Sequence, residues 1–296
     1  MQLHPSLGGT LEILPFKHAG RQLNLVLEHR GPQGTPLWLL LPALSTVSSR
    51  SEWRPFADAM GEQCQLVSFD WPGFGDSDRP AITYDAPLLS SALQAVLDHL
   101  QIRNQGQLNV VAAGHSASVA LGLATKESGH WQQLVLVAPT WRGPLPTMTG
   151  WHPKRFGWLR QLVAMPLIGP ALYRLNTSRA VLKLMLRRHV WVNPKLLTPE
   201  RISEQQQLTR RSGSRFASVA FVSGGLDPAG SRNWWLDQSQ QLRCPLHVVL
   251  ATEAPPRSRH EMERLANLAD RVSMINGRLG LHQEFGAVLR ERILCA

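Results

Sequence analysis

Residues 108–124, LNVVAAGHSASVALGLA, constrain this chain more than any other stretch. An apolar run, Val110 to Ala113, leads into Gly114-His115-Ser116-Ala117-Ser118, and a helix-compatible run of small residues follows. That order predicts a buried strand, a tight turn and a helix, with Ser116 at the turn. A serine hydroxyl is a weak nucleophile until it is exposed, oriented and served by a base. A sharp turn at the end of a buried strand exposes it, provided the flanking residues are small, because strand and helix approach closely there. Gly114 meets this condition two residues before Ser116; two residues after it stands Ser118, where glycine is usual. The segment reads either as a nucleophile elbow or as an ordinary strand-to-helix turn that carries a serine.

The rest of the chain supplies a frame for that corner. Leu11–Leu14 and Leu23–Leu27 alternate and predict two antiparallel strands, closed by a Gly31-Pro32-Gln33-Gly34 turn. Leu37–Leu41, Gln65–Phe69, Leu134–Ala138 and Leu246–Leu250 are short apolar runs of the kind found in strands buried on both faces. Helices are expected from Ser51, as cap, to Met60, and over Ala86–Leu100, Arg259–Ala269 and Glu284–Leu294, with a short strand at Val272–Ile275. Strands alternating with helices predict an α/β fold: a mostly parallel central sheet covered by helices on both faces. Between residues 140 and 233 the alternation stops, and an inserted, mainly helical cap is expected there. The predicted organisation is core 1–139, cap 140–233 and core 234–296.

Charge sets the cap apart. The 296 residues carry a net +10, with 43% hydrophobic and 18% charged residues, a globular composition. From Trp141 to Trp235 there are fifteen Lys and Arg against Glu200, Glu204 and Asp227, a balance of +12, and six of the ten tryptophans. The remainder is near −2. Such a segment suits an anionic substrate, an anionic membrane face with tryptophans at the lipid interface, or plain solvation. Nucleic acid is disfavoured for want of a recognition motif. No apolar run reaches the ~20 residues of a bilayer span, and no basic region followed by an apolar stretch marks a secretory signal. Cys64, Cys244 and Cys295 are scattered and lack metal-ligand spacing. The expectation is a cytoplasmic protein without metal or cofactor, with peripheral membrane contact left open.

Several motifs together resemble the α/β-hydrolase superfamily, in its serine-nucleophile branch. LLLPALST stands where that family keeps its oxyanion segment; Asp70-Trp-Pro-Gly-Phe-Gly-Asp-Ser77 is similar to its D-x-x-G-x-G-x-S loop; the elbow follows G-x-S-x-G except at Ser118. LPALSTVSSR, DWPGFGDSDRP and APTWRGPLPTM further look like a group of this superfamily from cyanobacteria and plastids. The Asp70–Ser77 loop has a mainly structural reading, with Asp70 fixing the turn. The resemblance implies Ser116 as nucleophile, His282 as base and an acid after the Leu246–Leu250 strand, for which Glu253 is chosen over Glu261 and Asp227. Oxyanion donors would be the N–H groups of Ala117 and Leu44. Departures gather at this site: Pro42-Ala43 replaces His-Gly, Ser118 replaces glycine, Ala254 stands where an aspartate is usual, and Gly280 where the histidine is expected. Two functions stay open. One is a serine hydrolase acting on a small-molecule ester or thioester with an apolar portion. The other is a catalytically weak or inactive relative that binds an apolar or anionic ligand, membrane or protein partner.

Overall fold

The computed structural model describes residues 3–104, 108–126 and 131–294; Cys295 lies outside them. Eight strands occur there: β1 (Thr10–His18), β2 (Arg21–Arg30), β3 (Leu37–Leu41), β4 (Gln65–Phe69), β5 (Leu108–Ala113), β6 (Trp131–Val137), β7 (Leu246–Ala251) and β8 (Arg271–Ile275). They form one sheet in the order β1-β2-β4-β3-β5-β6-β7-β8. The β1–β2 and β2–β4 pairs are antiparallel and all others parallel. The fold is therefore the expected α/β type. Every residue of β3, β4 and β5 is buried, as continuous apolar runs in a doubly covered sheet must be.

Helices α1 (Arg54–Met60), α2 (Ala86–Asn104) and α3 (Ser116–Ala124) follow in chain order around these strands. Between β6 and β7 the chain is helical: α4 (Pro144–Thr149), α5 (Gly157–Ala164), α6 (Ile168–Asn176), α7 (Arg179–Met185), α8 (Pro199–Arg210), α9 (Ser214–Val222) and α10 (Arg232–Gln240). The chain closes with α11 (Pro256–Ala266), α12 (Leu281–Glu284) and α13 (Gly286–Leu294). On one face of the sheet, Leu39, Val110 and Leu134 pack with Leu93 of α2, Ala120 of α3 and Trp235 of α10. On the other, Trp38, Leu40 and Val135 pack with Phe56 of α1 and Leu289 of α13.

Four boundaries differ from the sequence reading. The hairpin turns at Ala19-Gly20, both with positive φ (47° and 75°), the geometry that matches strand twist; Gly31–Gly34 instead lies between β2 and β3. Ser51 does not cap a helix: a 3₁₀ turn, Arg50–Trp53, precedes α1, and Ser49 and Ser51 share a hydroxyl bond of 2.6 Å. The helix after β7 starts earlier, with prolines at its first positions. The last helix breaks before Gly286, where a Cβ would stand 2.3 Å from the Pro55 carbonyl carbon, so α13 crosses α1 at backbone contact.

Arg50, only 1% exposed, is the reason for the 3₁₀ turn. Its guanidinium pairs with Glu28 of β2 (2.9 Å), with Asp70 at the end of β4, and with Asp76 (2.9 Å). Its backbone N–H donates to Asp70 as well, at 2.6 Å. Burial opposes the charge, but these carboxylates hold the guanidinium protonated more firmly than usual. Asp70 also accepts the Asp76 N–H (2.7 Å), so the loop closes over it, and a Cβ on Gly75 would lie 2.1 Å from the Asp70 carboxyl carbon. Glu28 accepts the N–H groups of Ser6, Leu7 and Gly9. Removing one partner of such a buried cluster leaves carboxylates unpaired, which costs about 3–5 kcal/mol. Arg50→Leu is therefore expected to lower the unfolding free energy by that amount in urea titration. A loss under about 1 kcal/mol, the worth of an exposed pair, would contradict the role given to Arg50.

Candidate functional site

Chain reversal places the site. β3 is followed by β4 on one side, while β5 returns to pair with β3 on the other. At this switch point the loops after β3 and β5 leave the carboxyl edge together, and ligands of open α/β sheets bind at such crevices. Pro42-Ala43-Leu44 and Gly114-His115-Ser116 occupy it.

The corner between β5 and α3 is tight, but its strained residue is Gly114, with φ of 54°. His115 is already right-handed helical (φ −75°, ψ −21°), and α3 begins at Ser116. The sequence reading put Ser116 at the tip of the turn; the positive φ falls two residues earlier. A Cβ on Gly114 would stand 3.1 Å from that of Ala43. Glycine thus fits where the β3 loop presses in with a methyl group.

Ser116 is 0% exposed. Its Oγ donates to the Ala113 carbonyl at 2.7 Å, with the Leu41 carbonyl at 3.3 Å. It behaves as a helix-start serine bonded back into its own strand. The Ala117 N–H, expected as an oxyanion donor, closes a turn onto the Gly114 carbonyl at 3.3 Å. Leu44 is buried in the core. Ser118 donates to the Thr140 carbonyl, and the Thr140 N–H to the Gly114 carbonyl, tying the corner to the start of the helical segment.

His282, on α12, is fully buried and pairs through Nε2 with Glu52 at 3.2 Å. Trp53 lies against the imidazole, ring centroids 4.8 Å apart. Glu52 also accepts the Ala43 N–H at 3.0 Å. Burial raises its carboxyl above the ordinary range, against the lowering effect of the His282 hydrogen bond. The other imidazole nitrogen, Nδ1, is buried without a hydrogen-bond partner. No hydrogen bond joins Ser116, His282 and Glu253 among the described residues. Glu253 is exposed on the turn after β7, where its N–H donates to Gly277. The acid on His282 is Glu52, 230 residues away, and no sequence motif announces that pairing.

A second imidazole–carboxylate pair flanks the corner. His115 Nε2 lies 3.1 Å from Asp227 Oδ1, and both side chains are buried. Phe221 packs edge-on to the His115 ring. Asp227 also accepts the Gly143 N–H at 2.9 Å, so one carboxylate joins both ends of the helical segment to β5. Asp227 closes a turn onto the Gly224 carbonyl, and its side chain adds this bridge.

The other departures have structural causes too. Gly280 receives the helical segment: its N–H donates to the Val190 carbonyl, and a Cβ there would meet Val190 Cγ1 at 2.4 Å. Ala254 is buried against the second core cluster. Beside the corner lies a cavity of about 300 Å³ whose lining includes Thr140, Trp141, Arg142, Arg257 and His260. Its arginines are already engaged: Arg142 donates to the Trp151 carbonyl and Arg257 to that of Thr147. No group of three or more His, Cys, Asp or Glu that could hold a metal occurs among the described residues.

If the Glu52–His282 pair is part of the packing, Glu52→Ala leaves the imidazole and the Ala43 N–H buried and unpaired. The expected loss is roughly 1–3 kcal/mol of unfolding free energy. Glu253→Gln, at an exposed turn, should stay within about 0.5 kcal/mol. Denaturant titration of both variants checks this; equal effects would contradict it.

Comparison with known proteins agrees with the architecture. A segment 31% identical over 84 residues occurs in a poly(3-hydroxyalkanoate) depolymerase of Ectopseudomonas oleovorans; it spans 28% of this chain and 29% of that enzyme. The fold is similar to that of Cfl2 from Burkholderia cenocepacia (TM-score 0.70, 21% identity, 98% of this chain and 96% of that one). It is also similar to the enol-lactonase of Burkholderia xenovorans LB400 (TM-score 0.67, 16% identity, 92% and 96%). At these identities the structures establish the fold alone. The model of the alpha/beta hydrolase family matches residues 38–282, which takes in the sheet from β3 to β8, the helical segment and His282, and the chain belongs to that family.

Proposed function

We propose that this member of the family is a non-hydrolytic binding protein that docks on anionic membranes through its helical segment, residues 140–233, acting as a cap. The observation against hydrolysis is the placement of Ser116: buried, in the first turn of α3, with its hydroxyl committed to the Ala113 carbonyl. Attack on a carbonyl would require it to leave that bond, and among the described residues no hydrogen bond links it to an imidazole that could take its proton.

The observation that carries the docking is the surface of the cap. From residue 128 to residue 199 the sequence has ten Lys and Arg and no acidic residue. Of the fourteen large hydrophobic side chains exposed among the described residues, nine lie between Met148 and Met185. They include Trp158 at 61%, Leu167 at 86% and Leu175 at 69%. Residues 164–168, AMPLI, are exposed in succession between α5 and α6. Apolar side chains set among unopposed cations fit an anionic bilayer, where each Lys or Arg contributes about 1 kcal/mol and the chains enter the interface. Of the six tryptophans from Trp141 to Trp235, three, Trp141, Trp191 and Trp235, are buried and serve packing instead. Arg211 is also structural, since it pairs with Asp76 at 2.5 Å. No helix among the described residues is long and apolar enough to cross a membrane.

The second reading is a serine hydrolase using Ser116, His282 and Glu253 on an ester or thioester with an apolar portion. The depolymerase segment favours it.

Two measurements separate the readings. A fluorophosphonate probe should leave the folded protein unlabelled; labelling abolished by Ser116→Ala would establish the hydrolase. In flotation at low salt, the protein should bind vesicles containing phosphatidylglycerol and not those of phosphatidylcholine. Raising salt should weaken binding as the Debye length falls from about 10 Å at 0.1 M to about 3 Å at 1 M. Leu167→Ser with Ile168→Ser should weaken it further. Indifference of the wild type to anionic vesicles would overturn the docking.

A further inference from the structure

The cap carries a hollow of about 460 Å³ away from the elbow, lined by Leu184, Arg187, Arg188, Val192, Pro194 and Arg278. Three arginines and three apolar residues line it, and the lining includes no carboxylate. The backbone explains the grouping. Helix α7 ends at Met185, and residues Leu186–Val190 form a π-helical turn. The wider turn alters where successive side chains point, a feature common at functional sites. Leu186 and Trp191 are buried and anchor it, while Arg187 and Arg188 stay exposed.

Arg278, on the loop between β8 and α12, fastens the hollow to the core. It donates to the carbonyls of Arg187 and, at 3.0 Å, Trp191. Glu284 approaches from α12, but its two oxygens accept the N–H groups of Val192 (2.9 Å) and Asn193 (2.7 Å). It is thereby directed at backbone. The positive charge is felt locally: burial, then the charges of Arg188 and Arg278, depress the His189 imidazole below its ordinary range.

We propose that this hollow is a headgroup site for an anionic glycerophospholipid, the phosphate held by Arg187 and Arg188, with Arg278 fixing the backbone beneath them, and the start of an acyl chain lying along Leu184, Val192 and Pro194. The proposal rests on the membrane docking argued above and adds a defined lipid site to it. A planar guanidinium matches phosphate oxygens two at a time, and two converging on one phosphate outbid general surface attraction. The nearby exposed Leu184 (59%) and Met185 (42%) give the chain an apolar path.

The test uses dihexanoyl phosphatidic acid below its micelle concentration, so that no bilayer is present, with binding read by titration calorimetry. Saturable binding by the wild type is expected. Arg187→Gln with Arg188→Gln should weaken it at least tenfold, since both charge-assisted contacts to the phosphate are lost. The control pair Lys154→Gln with Arg155→Gln, elsewhere on the cap, should change it less than about twofold. Absence of saturable binding, equal weakening by the control pair, or equal affinity for inorganic phosphate would overturn the lipid site. Flotation of the wild type on phosphatidylglycerol vesicles keeps the two ideas apart. If vesicles bind and the soluble lipid does not, the site fails and the docking stands; if only the soluble lipid binds, the docking fails and the site stands.

Discussion

The buried guanidinium of Arg50 is the constraint on which the rest of the structure depends. It holds Glu28, Asp70 and Asp76 in one place, which joins β2, the end of β4 and the Gly73–Gly75 loop. To reach them, residues 50–53 wind into a 3₁₀ turn. That turn carries Glu52 and Trp53 beneath the carboxyl edge of the sheet. Glu52 then fixes the Ala43 N–H and the His282 imidazole. One electrostatic cluster thus sets the position of the β3 loop and of the C-terminal histidine, with no catalytic function required to explain either.

Around this frame the corner between β5 and α3 is closely packed. The positive φ falls on Gly114, the methyl group of Ala43 closes over it, and Ser116 turns its hydroxyl into the strand. Two buried imidazole–carboxylate pairs flank it, one to the core and one to the helical segment. That segment is fastened elsewhere too, as at Val190 on Gly280, Arg211 on Asp76, and Thr140 on Gly114. With its inner side bound to the core, it leaves an outer side rich in cations and exposed apolar chains. The division gives physical content to the proposal that binding has replaced hydrolysis.

Much of the fold was legible because buried parallel strands require unbroken apolar runs, and LWLLL, QLVSF and VVAA supply them. The Asp70 loop was legible through its glycines: the absent Cβ of Gly75 leaves room for the Asp70 carboxylate, and that of Gly73 for Ala217 and Tyr84. The hairpin was misplaced because Ala19 takes a positive φ that sequence rules assign to glycine or asparagine. The site was harder to read. Ser116 occupies the motif position, but the turn's placement depends on how closely Ala43 approaches, which is a tertiary fact. The Glu52–His282 and His115–Asp227 pairs join residues 230 and 112 positions apart, beyond any local pattern. Charge counting singled out the helical segment but could not tell Arg211, paired with Asp76, from Arg187 and Arg188, which stay exposed.

The central claim, that the residue at the motif's serine position is sealed, is tested most directly by placing a thiol there. In Ser116→Cys, alkylation by iodoacetamide can be followed in the folded protein, with mass spectrometry separating the introduced thiol from Cys64, Cys244 and Cys295. The account predicts that the introduced thiol reacts far more slowly than a free cysteine and becomes reactive only on unfolding. Alkylation of folded Ser116→Cys at that position faster than a free thiol, as at an exposed and activated elbow, would contradict it.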